Sequence, residues 1–175
     1  KKRVAQKGST LISPGQVVSI DGGTTTTELI ACLPDDLNIT VVTHSPGIAL
    51  GLVNHPLIEI ILIGGRVYKH SIVTVGAATI EGMRNIQADL FFMGVTGIHP
   101  EAGLTTGDYE EACIKRAFSG RAAETIVLAS PEKISTASPF AIGDVSLINT
   151  VVVEENTDES WIRAMNAKGI TVVTA

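Results

Sequence analysis

The sequence predicts an α/β fold with a mostly parallel β-sheet and helices on both of its faces, and three observations support this. The chain has 175 residues, close to the length of one average domain. Short β-branched runs recur and are nearly continuous in apolar character, as is typical of strands that are buried on both faces. Helix-start signals fall between several of these runs, and such alternation produces right-handed crossovers and parallel strand pairing.

Seven runs are predicted strands of this Rossmann-like sheet. In chain order they are Val17–Ile20, Ile39–Thr43, Ile58–Ile63, Leu90–Met93, Thr125–Ala129, Val151–Val153 and Ile170–Val173. Ligands of open parallel sheets bind beyond the carboxyl ends of the strands. The residues that directly follow each strand are therefore the candidate functional residues.

Helix starts are predicted from capping residues. Thr25 and Glu28 have the spacing of a capping box, which predicts a helix through Leu33. Ser45 followed by Pro46 predicts a second helix start. Further helices are predicted to begin at Asp108, running to about Ser119, and at 157–159.

Composition and charge exclude several classes of protein. Hydrophobic residues make up 45% of the chain and charged residues 18%, so the chain is not intrinsically disordered. No apolar run is long enough to cross a membrane, and no signal peptide is present, which predicts a cytoplasmic protein without membrane contact. The net charge is −5, and four of the cations precede the first acidic residue, Asp21. This acidity disfavours autonomous DNA binding.

Motifs for common chemistries are missing from the sequence. The cysteines, Cys32 and Cys113, lack metal-ligand spacing and are expected to be small core residues, so no metal or cofactor is expected. The Walker and dinucleotide glycine motifs are both absent, as are G-x-S-x-G and H-E-x-x-H. The sequence therefore gives no support for NTPase, oxidoreductase or hydrolase activity.

The segment after the first strand is the leading candidate for an anion site. Asp21, Gly22 and Gly23 are followed by Thr24, Thr25 and Thr26, which open the next helix. Glycines let a ligand approach the backbone, and the free N–H groups of a helix start favour an anion. We call the segment 21–26 the threonine loop. The same pattern also describes a tight turn with a helix cap.

Cations for such an anion must come from elsewhere in the chain. Residues 8–65 contain no lysine or arginine. Lys115, two turns into the helix capped by Asp108, and Lys133, just after a strand, are the candidates, although both are equally consistent with ordinary solvated side chains.

Two other strand ends carry candidate binding residues. Gly65 lies in a Gly-Gly-Arg turn after the third strand, and Thr96 and Gly97 begin a long glycine- and threonine-rich loop over 94–108. Long loops at strand ends are commonly functional. His44 also follows a strand and is expected to approach the site.

Five motifs in order resemble those of the C-terminal sensor domain of DeoR-family transcriptional repressors. They are D-G-G-T-T-T-T-E-L from Asp21, V-T-H-S-P-G-I-A from Val42, L-I-G-G-R from Leu62, G-x-x-G-I-x-x-x-x-G-L-T-T-x-D-x-x-E-A-x-x-K-R-A from Gly94 and L-A-x-x-x-K from Leu128. The resemblance covers essentially the whole chain, as a single domain over 1–175.

The resemblance implies a fold like ribose-5-phosphate isomerase and the CoA transferases. It also implies a phosphorylated sugar or polyol as effector, bound by the threonine loop with Lys7, Lys115 and Lys133 flanking the site. DNA would be bound only by a winged helix-turn-helix domain preceding Lys1, and the sensor would form a homo-oligomer. Lys7 adjoins that domain and is the candidate residue for coupling effector binding to it.

The chain departs from the family pattern at two site positions. His44 stands where the family usually has asparagine, and Ser130 stands where it usually has aspartate.

The alternative function is a sugar-phosphate isomerase on the same fold, which requires a carboxylate base in the pocket. The segment after the fourth strand has no acid before Glu101. The sequence therefore favours the prediction of a non-enzymatic sensor.

Overall fold

All seven predicted strands are present and form one parallel sheet in the computed structural model, which describes residues 1–175. In chain order the helices and strands are α1 (Lys2–Ser9), β1 (Val17–Ile20), α2 (Thr24–Ala31), β2 (Ile39–Thr43), α3 (Pro46–Leu52), β3 (Ile58–Leu62), β4 (Arg66–Tyr68), β5 (Val73–Val75), α4 (Ala77–Met83), β6 (Ala88–Met93), β7 (Gly97–His99), β8 (Gly103–Thr106), α5 (Tyr109–Ser119), β9 (Ala122–Leu128), β10 (Phe140–Gly143), β11 (Thr150–Val153), α6 (Glu159–Ala167) and β12 (Thr171–Thr174).

The strand order places a topological switch point at β1. The sheet runs β12-β11-β9-β6-β1-β2-β3, so β1 pairs with β2 on one side and with β6 on the other. The chain builds outward from β1 to β3, then returns to β6 and builds outward to β12. Such a reversal opens a crevice at the carboxyl ends of the two central strands, where open α/β sheets bind their ligands.

Two hydrophobic cores lie on opposite faces of the sheet. Helices α1, α2 and α3 cover a core of 18 buried residues that includes Phe92. Helices α4, α5 and α6 cover a core of 23 buried residues that includes Phe91. Neighbouring residues of a strand point to opposite faces, so each apolar strand serves both cores. The predicted fold class, with helices on both faces, is confirmed. None of the helices is both long and apolar enough to span a bilayer.

The structure corrects the long loop predicted over 94–108. This segment contains β7 and β8, which pair antiparallel and join β10 in a small three-stranded sheet. Its strands are only three or four residues long and rich in glycine and threonine, so they lack the apolar pattern that identifies a strand. The segment is therefore a β-hairpin that begins directly beside the crevice.

The predicted caps are correct for two helices and wrong for one. Ser45 and Asp108 accept the expected bonds from the N–H groups of Ile48 and Glu111. Thr25 does not cap α2, because the cap position is occupied by Gly23, two residues earlier, and the helix begins at Thr24. The prediction that both cysteines are core residues is also wrong, since Cys32 and Cys113 are half-buried.

A buried carboxylate joins the strand ends around the crevice. Asp21, at the end of β1, is 1% exposed. One of its oxygens accepts from the Gly22 N–H at 2.8 Å and faces His44 Nε2 at 2.7 Å. The other accepts from the Gly94 N–H at 2.9 Å and from Lys115 Nζ at 2.5 Å. One side chain thus connects the ends of β1, β2 and β6 to the middle of α5.

The partners of Asp21 are buried as well. Lys115 is 3% exposed and His44 is 1% exposed. The His44 Nδ1 atom lies 2.7 Å from the Thr74 carbonyl oxygen, so both ring nitrogens face oxygen atoms. Burial opposes ionisation of Asp21, but the Lys115 ammonium and the His44 ring outweigh it and hold the pKa of Asp21 well below its usual range. The cluster is therefore a salt-bridged carboxylate inside the protein.

We expect Asp21→Asn to lower the free energy of unfolding by about 3–5 kcal/mol, because it leaves Lys115 buried without its counter-charge. The pKa of Asp21 is lower in the folded chain, so its ionised form stabilises the fold above the unfolded pKa of about 4, and this contribution is lost as the pH falls. Denaturant titrations should show the difference between variant and parent shrinking below about pH 4.

The matched control is Asp36→Asn, which changes an exposed carboxylate. It should alter the free energy of unfolding by at most about 0.5 kcal/mol. A loss of stability in Asp21→Asn that stays constant down to about pH 2 would contradict the role given to this cluster.

Candidate functional site

A cavity of about 610 Å³ lies at the carboxyl ends of the central strands. Its volume falls in the range of small-molecule sites, about 300–1,000 Å³. The residues that line it are mostly polar and come from the segments after β1, β2, β6 and β9, from the turn between β4 and β5, and from α5. They are Gly22, Gly23, Thr24, Thr25, Thr26, Thr27, Ser45, Gly47, His70, Ser71, Ile72, Met93, Gly94, Val95, Thr96, Thr106, Glu111, Lys115, Leu128, Glu132 and Lys133.

The backbone of the threonine loop presents N–H groups to this cavity. The first bond of helix α2 runs from the Thr27 N–H to the Gly23 carbonyl, so the N–H groups of Thr24, Thr25 and Thr26 have no partner within the helix. Gly23 has a φ of 145°, a conformation that favours glycine. A valine there would strain the backbone, so a substitution of Gly23 is not a clean test of ligand contact.

The threonine hydroxyls differ in what they can offer to a ligand. Those of Thr26 and Thr27 donate to the Gly23 carbonyl at 3.0 and 2.8 Å. The Thr25 hydroxyl accepts from Lys133 Nζ at 3.3 Å, and its own proton has no protein acceptor. Thr25 is therefore the threonine of the loop that is buried, adjoins a cation and keeps a free donor.

The two predicted lysines have different environments. Both line the cavity, but the Lys115 ammonium is salt-bridged to Asp21. The Lys133 ammonium forms no ion pair, and its one hydrogen bond is to the Thr25 hydroxyl. Burial, together with the charge of Lys1, lowers the pKa of Lys133. Lys133 is thus the cation of the cavity with no opposite charge bound to it.

The structure brings together eight of the twelve residues predicted for binding or coupling. Gly22, Gly23, Thr24, Thr25, Thr26, Thr96, Lys115 and Lys133 line the cavity. Four others lie outside its lining. Asp21 lies beneath it in the buried cluster. Gly65 packs near Thr79 and Thr74, and Gly97 packs against Thr105 and Thr136. Lys7 is exposed on α1.

Sequence reasoning missed three ionisable residues of the cavity, Glu111, Glu132 and His70. Glu132 accepts from the Ser130 hydroxyl at 2.7 Å and pairs with Lys1 Nζ at 3.3 Å. The Ser130 bond is the main cause that lowers the pKa of Glu132 to about 2. Glu111 follows the predicted helix cap Asp108 by three positions. The predicted start of α5 was therefore the one sequence signal that pointed to Glu111.

The turn between β4 and β5 forms one rim of the cavity. His70, Ser71 and Ile72 lie in this turn and line the opening. Ile72 has a φ of 52°, which is unusual for a β-branched side chain, and this side chain is 57% exposed. Backbone strain of this kind is retained where the surrounding structure enforces it and is common at ligand-binding sites.

The cavity therefore has the chemistry of an anion-binding site that adjoins polar groups. Unpaired helix N–H groups, the Thr25 hydroxyl and the Lys133 ammonium converge at one end. No cluster of three or more histidine, cysteine, aspartate or glutamate side chains is placed to hold a metal ion.

Sequence relatives of the chain include two transcriptional regulators. The chain is 33% identical over 161 residues to the uncharacterized HTH-type transcriptional regulator FruR of Bacillus subtilis, covering 90% of this chain and 64% of that one. It is 30% identical over 173 residues to the HTH-type transcriptional regulator GlpR of Haloferax volcanii, covering 99% and 68%. The chain thus spans about two thirds of the length of these curated relatives.

Solved structures share the fold at low sequence identity. The probable sor operon regulator from Shigella flexneri has a TM-score of 0.61 at 13% identity, over 91% of this chain and 86% of that one. Ribose 5-phosphate isomerase A from Methanocaldococcus jannaschii has a TM-score of 0.56 at 15% identity, over 76% and 52%. The predicted likeness to the isomerase fold is confirmed.

The sequence family model that matches describes the DeoR C-terminal sensor domain, and the match covers residues 1–155. This range contains the threonine loop, the buried Asp21 cluster and every residue that lines the cavity. Together with the relatives of at least 30% identity, it confirms the predicted resemblance: the chain belongs to the DeoR family and carries its C-terminal sensor domain.

Proposed function

We propose that this domain senses a phosphorylated sugar or polyol in the cytoplasm and controls DNA binding by a separate part of a longer protein. The supporting observation is the anion-binding end of the cavity, where helix N–H groups, the Thr25 hydroxyl and the Lys133 ammonium converge. The relatives described above are named HTH-type transcriptional regulators. Their names support a regulatory role for the whole protein.

Phosphate suits the cavity better than a carboxylate does. A phosphate group offers three terminal oxygens, and the loop supplies N–H donors, a hydroxyl donor and a cation around one point. The polar remainder of the lining, including Ser45, Ser71, Thr96 and Thr106, suits a hydroxylated ligand body.

Helix α1 is the proposed route from the cavity to the preceding part of the protein. Its buried face packs against α2, whose first turn holds the threonine loop. Gly8 of α1 lies close enough to Leu128 that an added Cβ would approach Leu128 Cδ2 to 2.7 Å, and Leu128 lines the cavity. Lys7 lies on the exposed side of the same helix, so its coupling role depends on contacts outside this chain.

A second candidate function is a sugar-phosphate isomerase. Glu111 favours it, because this buried carboxylate lines the cavity and an isomerase requires a carboxylate base beside the substrate carbon. The relatives are transcriptional regulators, which favours sensing over catalysis.

Self-association is part of the proposal, and the exposed edge of β3 supports it. Exposed hydrophobic side chains belong to this edge strand or to the segments that directly precede and follow it in the chain: Leu50, Val53, Leu57, Ile61, Leu62 and Val67. We call this surface the β3 edge. Between Leu57 and Gly65 the only charged residue is Glu59. An exposed apolar edge strand is a template for strand pairing, and symmetric homodimers are the commonest protein oligomers.

The charge pattern of the β3 edge is compatible with pairing to a second copy of this chain. If two β3 strands pair antiparallel about a twofold axis at Ile60, Glu59 of one copy lies opposite Ile61 of the other. The two like charges then avoid a direct cross-strand pair, which would be destabilising. The seven-stranded sheet would continue across the axis into its copy.

Effector binding is tested with Thr25→Ala. We expect calorimetric titration with sugar phosphates and polyol phosphates to show binding to the parent chain and about tenfold or greater weakening in the variant, because a hydrogen bond to a charged group contributes about 1.5–3 kcal/mol. Thr27→Ala is the matched control, since the Thr27 hydroxyl proton is already donated to Gly23. Equal affinities in all three proteins would place the ligand elsewhere.

Catalysis is tested by incubating the chain with aldose and ketose phosphates and following their interconversion by NMR. The sensor proposal expects binding without turnover above the uncatalysed rate. Turnover that is abolished in Glu111→Gln would instead establish the isomerase.

The β3 edge is tested by sedimentation velocity. We expect the parent chain to form dimers or larger oligomers and Leu62→Lys to shift it toward monomer, because a buried unpaired lysine opposes association. Tyr109→Lys is the control, since Tyr109 is also exposed but lies away from this edge. A monomeric parent, or an unchanged oligomer in Leu62→Lys, would overturn this part of the proposal.

A further inference from the structure

Glu111 is a buried carboxylate without a protein partner. It lies in the first turn of α5, is 8% exposed and lines the cavity. Its backbone N–H is bound by the Asp108 cap, but no hydrogen bond or ion pair is made by its carboxylate. The remaining exposure of this side chain is therefore toward the cavity.

The neighbours of Glu111 leave its charge uncompensated. Lys115 lies four residues later on the same face of α5, about one helical turn away, but its ammonium pairs with Asp21. Two other neighbours are Asp108 and Tyr68. Burial, with the charges of Asp108 and Glu111, raises the pKa of Tyr68, so Tyr68 is a neutral neighbour rather than a counter-ion.

The lining of the cavity thus carries charged groups of both signs. The threonine loop and Lys133 provide positive potential at one end. Glu111 provides a negative charge and accepts hydrogen bonds only. No protein group donates to this carboxylate, so whatever occupies the cavity does: water in the empty cavity and ligand hydroxyls in the occupied one.

We propose that Glu111 is the specificity-determining residue of the cavity: it accepts hydrogen bonds from ligand hydroxyls and rejects ligands that carry a second anionic group. This inference rests on the proposed function. The ligand class it defines is a monophosphate ester whose other end is neutral and bears hydroxyl groups. Sugar diphosphates and phosphorylated sugar acids are excluded, because their second anion would lie beside a carboxylate that no protein cation pairs with.

The experiment compares ligands that differ only in the second end group. Sorbitol 6-phosphate and 6-phosphogluconate form one pair, glycerol 3-phosphate and 3-phosphoglycerate form a shorter pair, and inorganic phosphate reports the threonine loop alone. Each is titrated calorimetrically into the parent, Glu111→Gln and Glu110→Gln. Glu110 is the matched control, since it is the adjacent acid of the same turn and does not line the cavity.

We expect the parent to bind at least one polyol phosphate about tenfold or more tightly than the matching acid. Glu111→Gln should lose most of this ratio, by weaker binding of the polyol phosphate and tighter binding of the acid, with inorganic phosphate nearly unchanged. Glu110→Gln should behave as the parent. The Glu111→Gln variant should unfold at nearly the same denaturant concentration, since its carboxylate makes no hydrogen bond or ion pair within the protein.

The outcomes separate this inference from the proposed function. A parent that binds none of the phosphate compounds overturns both. A parent that binds phosphate esters without discriminating the acid, or a Glu111→Gln variant that keeps the full ratio, overturns the role of Glu111 alone. A variant that loses inorganic phosphate binding as well would make Glu111 structural and would also overturn the inference.

Discussion

A carboxylate that is removed from water must be surrounded by donors, and Asp21 imposes this requirement on the centre of the fold. Its four partners are two backbone N–H groups, His44 and Lys115, which come from three strand ends and one helix. The crevice can close around this cluster only when β1, β2, β6 and α5 are all in place. The geometry of the cavity therefore depends on Asp21, a side chain that lies beneath the cavity and does not line it.

The same interaction determines how positive charge is distributed in the cavity. The sequence indicated two lysines for one anion, and both reach the cavity. Because Asp21 pairs with Lys115, a ligand meets one uncompensated ammonium, Lys133, rather than two. Affinity for an anion then depends more on the aligned N–H groups of α2, which cannot be titrated or screened as readily as an exposed side chain.

The sequence was sufficient to predict the seven-stranded sheet and its two covered faces, because runs such as Leu90–Met93 are apolar on both sides of the strand. It also predicted the threonine loop, since glycines followed by a helix start have a local signature. It did not predict the hairpin within 94–108, whose strands carry glycine and threonine in place of an apolar run. It did not predict Glu111 as a cavity residue, because that prediction requires the direction of α5 relative to the sheet.

The pairing of Lys115 with Asp21 was likewise beyond sequence reasoning, because it joins residues 94 positions apart. Local sequence patterns determine which residues form strands and helices. They therefore also predict which residues lie at the ends of the strands. Which of two similar lysines remains available is decided by tertiary packing. The residues whose roles changed most between sequence and structure, Asp21 and Lys115, are those with long-range polar contacts.

The location of the cavity at the switch point has a consequence for unfolding. The β1–β6 pair joins an amino-terminal half of the sheet to a carboxyl-terminal half, and the cavity lies across that seam. A ligand bound as proposed would contact residues from both halves, so separating the halves would first require its release. Occupancy would then slow partial opening of the sheet and protect the seam from proteases, making the empty sensor the shorter-lived state.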